Sequence, residues 1–503
     1  MEIKEKLSMA IFGTGLLGGL IGRYLFMGAG AGINFTVYVF MVIGAVLGFR
    51  HVLKRNTPLI SRVLIYIALF FAFFIAVRDS VVVFNFNLLG LAIIATMAIA
   101  LEFEGSVYQF HFVRLLRCGF RVLIMPVIAL LDILPGAFSP LGIVVKDARV
   151  KSVLKGLFWA LPLLLIFGSL LVSSDARFAE FTASLIDFDV FTLSNSLMIT
   201  GFWMAVTMAI LFAALVYKTP PEKFDISERI PVVDGIVLIT MLGCINLLFC
   251  CYIAIQFTYF FGGDALVHNT SGLTYSAYAR NGFWDLVWVA MIALPLLYLA
   301  DCMLFNRVQN ESEKIQNVFR KLALFTVIAI FIMEGSAAHR MYIYVREYQL
   351  TELRFYSTWY MCFIVSALFT FVATVLKGKR ELFIISTAFC ALGFIALLNL
   401  INPDALIVSR NLAQMEKGHT IDQHYLNRLS HDAYPDIVQY AQAHPKSKIC
   451  FLVLEGRGTS KLAWQSWTWS NFRAVELWHE SPAVKRCIEN KDNVKEYHDD
   501  SAR

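Results

Sequence analysis

The chain has 503 residues, of which 58% are hydrophobic and only 16% charged. Soluble domains carry about 25% charged residues. A chain this apolar, with mean hydropathy +0.65, keeps its surface away from water only in a bilayer, which excludes an ordinary water-soluble protein. The net charge of +6 is small and gathered in a few loops, so it points to membrane orientation rather than nucleic-acid binding. None of the nine cysteines forms a Cys-x-x-Cys pair, which weakens zinc and thioredoxin-like readings; no metal and no cofactor is expected.

A spanning helix needs about 20 mostly apolar residues. The first such stretch, 8–27, runs into Arg23 rather than a small-residue cleavage site and reads as a retained helix. It carries Gly15, Gly18, Gly19 and Gly22, two overlapping Gly-x-x-x-Gly spacings that let a neighbouring helix approach closely. Internal packing is the expected use, with a dimer interface as the alternative. Further spans are expected at 33–49, 60–77, 81–101, 154–172, 192–216, 234–260, 284–304, 322–339, 355–376 and 382–401, eleven in all. Asn85 and Asn87 in the fourth span face different neighbours, and helix–helix hydrogen bonding is the expected role.

Loop charges test this count. Arg50, Lys54 and Arg55 follow the second span, seven basic residues from Arg114 to Lys155 precede the fifth, and Lys218, Lys223 and Arg229 follow the sixth. Arg307, Lys314, Arg320 and Lys321 follow the eighth span; Lys377, Lys379 and Arg380 precede the last. With a cytoplasmic N-terminus all fall inside, as the positive-inside rule requires, and the C-terminus is extracytoplasmic. The short apolar stretch 122–134 has basic flanks on both sides. It reads as part of an interfacial or re-entrant segment over about 104–150 rather than a crossing.

After Asn402 the composition changes, dividing the chain into a membrane domain, 1–402, and a tail, 403–503. The tail reads as a small, mainly helical extracytoplasmic domain, with helical periodicity over 404–417 and 421–430. Residues 449–454 fit either a short strand or a buried helix segment. Tyr434-Pro435 reads as a helix end. Trp464, Trp467 and Trp478 recur at near-helical spacing and read as core, with a membrane-interface or glycan-stacking surface as the alternative. His419, His424, His431 and His444, with Asp422, Asp432 and Asp436, match no recognised metal spacing and read as solvated helix faces. Cys450 and Cys487 face an oxidising compartment on this topology, so a disulfide between them is a testable expectation.

Four stretches carry a family resemblance. They are AGINFTVYVF at 31–40, TYSAYARNGF at 274–283, SAAHRMYIYVREYQLTELR at 336–354, and the pair NPDALIVSRNL and IDQHYLNRLSHDAYP at 402–412 and 421–435. They are similar to motifs of the bacterial polytopic membrane proteins called domain of unknown function 4173, related to domain of unknown function 4153. Gln349 stands where those motifs usually have a glycine before Leu-Thr. The resemblance implies a bacterial cytoplasmic (inner) membrane protein of the cell envelope and brings no established activity.

The polar residues of these motifs suggest one site. If 340–354 is helical, Arg340, Tyr344, Glu347, Thr351 and Arg354 form one stripe. Tyr278 and Arg280 lie on the neighbouring outer loop, and Glu334 is an acid deep enough to need a cation or water. The functional reading is an outward-facing pocket of Arg280, Tyr278, Arg340, Tyr344, Arg354 and Glu334 for an anionic lipid head group or solute, because guanidinium binds phosphate bidentately. The competing reading is interhelix ion pairing. No Walker loop, nucleophile elbow or Rossmann fingerprint is present. Two further classes stand beside a lipid- or solute-binding protein: a membrane-embedded transferase for a lipid-linked substrate, and an envelope scaffold or sensor acting through 403–503.

Overall fold

The computed structural model describes residues 2–104, 190–215, 235–261, 283–305, 313–419, 421–445, 449–454 and 463–489. Among the described residues ten long helices form the bundle: α1 (Glu2–Phe26), α2 (Ile33–Val52), α3 (Leu59–Val77), α4 (Val81–Glu104), α5 (Val190–Leu215), α6 (Gly235–Phe261), α7 (Phe283–Phe305), α8 (Glu313–Tyr348), α9 (Glu352–Thr374) and α10 (Glu381–Ile401). Eight of them are long and apolar enough to cross a bilayer, while α5 and α7 carry shorter apolar stretches, Ser196–Leu211 and Val289–Leu304. The protein is an all-helical membrane protein, with no strand among the described residues. The expected span at 154–172 and the segment 104–150 fall almost wholly outside them.

Four of the five glycines of α1 serve internal packing. A β-carbon at Gly15 would lie 2.2 Å from Met208, at Gly18 2.3 Å from the Thr207 hydroxyl, and at Gly22 2.5 Å from Trp203. At Gly19 it would meet the Thr200 carbonyl at 2.7 Å. α1 and α5 therefore run antiparallel in close contact, the geometry that small residues permit. Asn87, fully buried, exchanges amide hydrogen bonds with Asn399 of α10 at 2.9 and 2.6 Å, whereas Asn85 is exposed. At the bundle end away from the tail, Asp301 and Arg380 pair at 3.3 Å, tying α7 to α10.

α10 ends at Asn402, whose left-handed backbone, φ 54°, both closes that helix and opens the tail. The tail helices are α11 (Pro403–Glu416), α12 (Gln423–Asn427), α13 (Tyr434–Ala443), α14 (Cys450–Leu454), α15 (Trp469–Glu480) and α16 (Pro482–Glu489). They enclose a core of their own, centred on Ile407, Val408, Tyr434, Ile437, Leu452 and Val484, each at most 1% exposed. Cys450 and Cys487 form a disulfide that joins α14 to α16 within this core.

Two sequence expectations change here, and the open choice between strand and helix at 449–454 is decided. Tyr434-Pro435 opens α13 rather than ending a helix, because proline suits a first turn, where an amide hydrogen has no helical partner. Residues 450–454 are helical. Trp478 packs against the tail core, but Trp464 is 52% exposed, since the chain there is a short 3-10 turn rather than a continuing helix.

Candidate functional site at the joint between bundle and tail

The turn Arg78–Asp79–Ser80 connects α3 to α4 and leaves helix-start amides without helical partners. A tail residue supplies the acceptor. Asp432, 3% exposed, takes the Asp79 and Ser80 amides on Oδ2 at 2.9 Å each. Its Oδ1 accepts the Ser470 hydroxyl from α15 and lies 3.6 Å from the Arg78 guanidinium. Arg78 also donates from Nε and Nη2 to the Asn399 carbonyl, at 2.9 and 2.5 Å. One carboxylate thus closes the α3–α4 turn, α10, the 431–433 turn and α15 into a single hydrogen-bonded unit.

A second pair stands alongside. His431 Nδ1 lies 2.5 Å from Asp79 Oδ2, and the Thr468 hydroxyl donates to Asp79 Oδ1 at 3.2 Å. Burial pushes the Asp79 carboxyl up, but His431 and Thr468 together outweigh it and hold Asp79 below its ordinary value. Asp404, 1% exposed at the start of α11, accepts the Ser430 amide at 3.2 Å and its hydroxyl at 2.5 Å. Burial pushes Asp404 upward, Ser430 partly offsets this, and the charge of Asp432 adds to it. Among the described residues no group of three or more His, Cys, Asp or Glu is arranged to hold a metal ion.

The motif stretches at 31–40, 336–354 and 402–435 pack around this joint, whereas 274–283 lies almost wholly outside the described residues. Asn34, fully buried, accepts the Gly32 and Phe35 amides and donates to the Leu25 and Gly30 carbonyls, stapling the α1–α2 turn. A β-carbon at Gly32 would sit 2.6 Å from the Ser466 backbone, so the tail closes over that glycine. Asn411 of α11 pairs with both backbone groups of Leu350, at 3.0 and 2.9 Å. Gln349 adopts the left-handed backbone, φ 71°, which accounts for glycine being usual there. Arg354 holds it in place by donating to the Tyr348 and Gln349 carbonyls.

This turn corrects the expected stripe. α8 ends at Tyr348 and α9 begins at Glu352, so 340–354 is not one helix. Arg354 still meets Tyr344, its guanidinium 4.0 Å from the ring centroid. Arg340 is buried, and Glu334 is 3% exposed with neither carboxylate oxygen hydrogen-bonded among the described residues. Tyr278 and Arg280 lie outside the described residues. A family model described as a domain of unknown function (DUF4153) matches residues 63–440, well over half of the chain. The chain belongs to the DUF4153 family. No curated protein and no solved structure matches it.

Sequence reasoning missed Asp404, His431, Asp432 and Ser470 in this DUF4153 chain, and assigned the tail histidines and aspartates to solvated faces. Asp432 is buried instead, because an unpaired helix start 352 residues earlier needs its oxygens. The adjacent Arg78 and Asp79 between two apolar spans were the available signal; nothing in the chain spacing names their partners.

Proposed function

We propose that this DUF4153 protein is a non-enzymatic scaffold or sensor of the bacterial cell envelope, acting through residues 403–503 on the extracytoplasmic face of the inner membrane. The observation that carries this reading is Asp432: a tail carboxylate completes the backbone hydrogen bonding of the turn between two candidate spans. A tail so joined moves with the bundle, which suits a platform that transmits what it binds. The Cys450–Cys487 disulfide supports an oxidising, extracytoplasmic setting for the tail. Eleven spans with a cytoplasmic N-terminus agree with α4 ending, and α5 beginning, on opposite sides of the bilayer. We place the chain within the DUF4173 branch on its motif stretches.

Complementation of a deletion strain tests the reading, with detergent sensitivity as the readout. An Asp432→Ala chain that inserts and accumulates fails to restore resistance. A chain ending after Asn402 that restores it fully overturns the proposal. A C-terminal alkaline phosphatase fusion is active if the tail is extracytoplasmic.

A second reading rests on Glu334. An acid inside a bundle with no partner among the described residues, six positions from the buried Arg340, suits a pocket for an anionic lipid or solute, which Tyr344, Arg354, Tyr278 and Arg280 would line. Native mass spectrometry of purified protein finds an anionic lipid or solute that Arg340→Ala loses; identical spectra for both chains sink this reading. A membrane-embedded transferase gains no support from the joint.

A further inference from the structure

Trp464, Trp469 and Phe472 are 52%, 48% and 47% exposed, on a tail whose core is otherwise well closed. Phe472 lies 5.8 Å from Trp469 and 6.3 Å from Trp467, which closes the 3-10 turn that Trp464 opens, and Trp464 stands 6.1 Å from Tyr24. Tyr24 is the last member of an exposed α1 stripe that includes Leu17, Leu20 and Ile21. That stripe lies on a span long and apolar enough to cross the bilayer, so it is the surface that faces lipid tails. Through the Tyr24–Trp464 contact the exposed rings of the tail adjoin that stripe.

The depth of these rings is fixed by backbone contacts. Ile33, the first residue of α2, donates its amide to the Trp467 carbonyl at 2.9 Å. The Ser466 hydroxyl donates to the Gly30 carbonyl at 3.3 Å, and the oxygen of the Ser470 hydroxyl, shared with Asp432, lies 2.9 Å from the Val77 carbonyl. All three partners lie at the ends of spanning helices, where hydrocarbon gives way to head groups. Tryptophan is the side chain suited to that layer, with an apolar ring body and an N–H that keeps a polar partner.

We propose that residues 464–472 seat in the head-group layer of the leaflet on the tail side, so that phospholipid is a binding partner of the tail. The tail is then held at two places, by Asp432 inside the joint and by tryptophans in the interface. These rings meet bilayer rather than a protein or glycan partner because they adjoin a lipid-facing helix surface at head-group depth.

The test uses the full chain in phosphatidylcholine nanodiscs, with Trp464→Phe and Trp469→Phe variants that keep the apolar area. Subtracting each variant's fluorescence from that of the natural chain isolates one tryptophan. Phosphatidylcholine brominated near the head group removes most of that difference signal, and aqueous iodide removes little. The reverse result, free quenching by iodide and none by brominated lipid, overturns the proposal and leaves a soluble partner as the occupant. Hydroxyl-radical footprinting of the unmodified chain needs no variant. Trp464 and Trp469 are oxidised far less in nanodiscs than their exposure predicts, and full oxidation equally overturns the proposal.

Discussion

Asp432 and Glu334 are each 3% exposed, yet their surroundings are opposite. Asp432 receives two backbone amides, a serine hydroxyl and a guanidinium; neither oxygen of Glu334 has a hydrogen-bond partner among the described residues. A buried carboxylate with a full set of donors specifies how elements fit together, whereas one without them is a standing cost that a ligand, proton or water can relieve. Burial alone does not separate the two cases. Counting the donors does.

Removing Asp432 is the most damaging change expected. Asp432→Ala leaves two helix-start amides without their acceptor and removes the carboxylate beside Arg78, which keeps only the Asn399 carbonyl, and loss of one member of a buried pair typically costs about 3–5 kcal/mol. Thermal unfolding in detergent, with limited proteolysis reporting the tail, shows a lower transition and early cleavage beyond Asn402. If the tail stays protected, the joint is not what holds it.

The disulfide separates failure of the joint from failure of the tail itself. Its cysteines are 37 residues apart, and the chain-entropy model gives such a loop about 4 kcal/mol. Cys450→Ser with Cys487→Ser lowers tail stability by a similar amount while Arg78 and Asp432 stay paired. Hydrogen exchange then rises across α13 to α16 and stays low at the α3–α4 turn. Equal loosening of both regions would show that joint and tail core are one cooperative unit.

Glu334→Gln is expected to act in the other direction. Replacing an unpartnered buried acid by a neutral isostere leaves stability unchanged or raises it by roughly 1 kcal/mol. A marked fall in unfolding temperature would mean that Glu334 carries a structural partner beyond the described residues, and would erase the contrast with Asp432.

Acid sharpens the comparison within the joint. Asp79 is held below its ordinary 3.8, so its stabilising contribution is complete above that value and is lost as pH falls through the lowered one. Asp404 is raised, so its contribution is complete below 3.8 and lost as pH rises through its raised value. As pH falls, the joint therefore firms through the raised value of Asp404 and then, below the ordinary carboxylate range, loosens through the lowered value of Asp79. Protease protection of the tail against pH shows the rise, which Asp404→Asn removes, and the fall, which Asp79→Asn removes.

The smallest effect tests the turn between α8, which carries Glu334, and α9. A left-handed backbone costs a non-glycine residue about 1–2 kcal/mol, and glycine returns about 0.5–1 through its freer unfolded chain. Gln349→Gly then stabilises by roughly 0.5 kcal/mol, a shift of about a degree in unfolding temperature. A lower unfolding temperature would show that the Gln349 side chain, which accepts the Asp422 amide at 3.4 Å, outweighs its backbone strain.

Much of the bundle was legible because hydrophobic length is a strong signal. All ten helices of the bundle overlap spans read from the chain, and the α1 glycines point where their spacing suggested. The family motifs were legible as pattern but not as cause. That Asn34 staples a turn, and that position 349 needs a left-handed backbone, are statements about φ angles and hydrogen bonds that spacing does not carry. The joint was least legible. Arg78 and Asp79 stood out between two apolar runs, but their partners come from hundreds of residues away, where a Ser-His-Asp sequence in a polar tail looks like any solvated segment. Trp464 misled for a related reason: near-helical spacing was present, the helix was not.

The distance in sequence between Ser80 and Asp432 has a consequence for how the protein is made. Ribosomes add roughly 5–20 residues per second, so the α3–α4 turn reaches the membrane surface about 20–70 seconds before its acceptor is synthesised. Throughout that interval Arg78 and Asp79 wait at the boundary with water, which solvates them until the tail arrives. Closure of the joint is therefore among the last events of biogenesis, and it reports that the number of crossings between the two residues has the correct parity. A nascent chain with one crossing missing would deliver Asp432 to the wrong compartment, leaving the waiting turn as an open mark of mis-insertion for quality-control proteases.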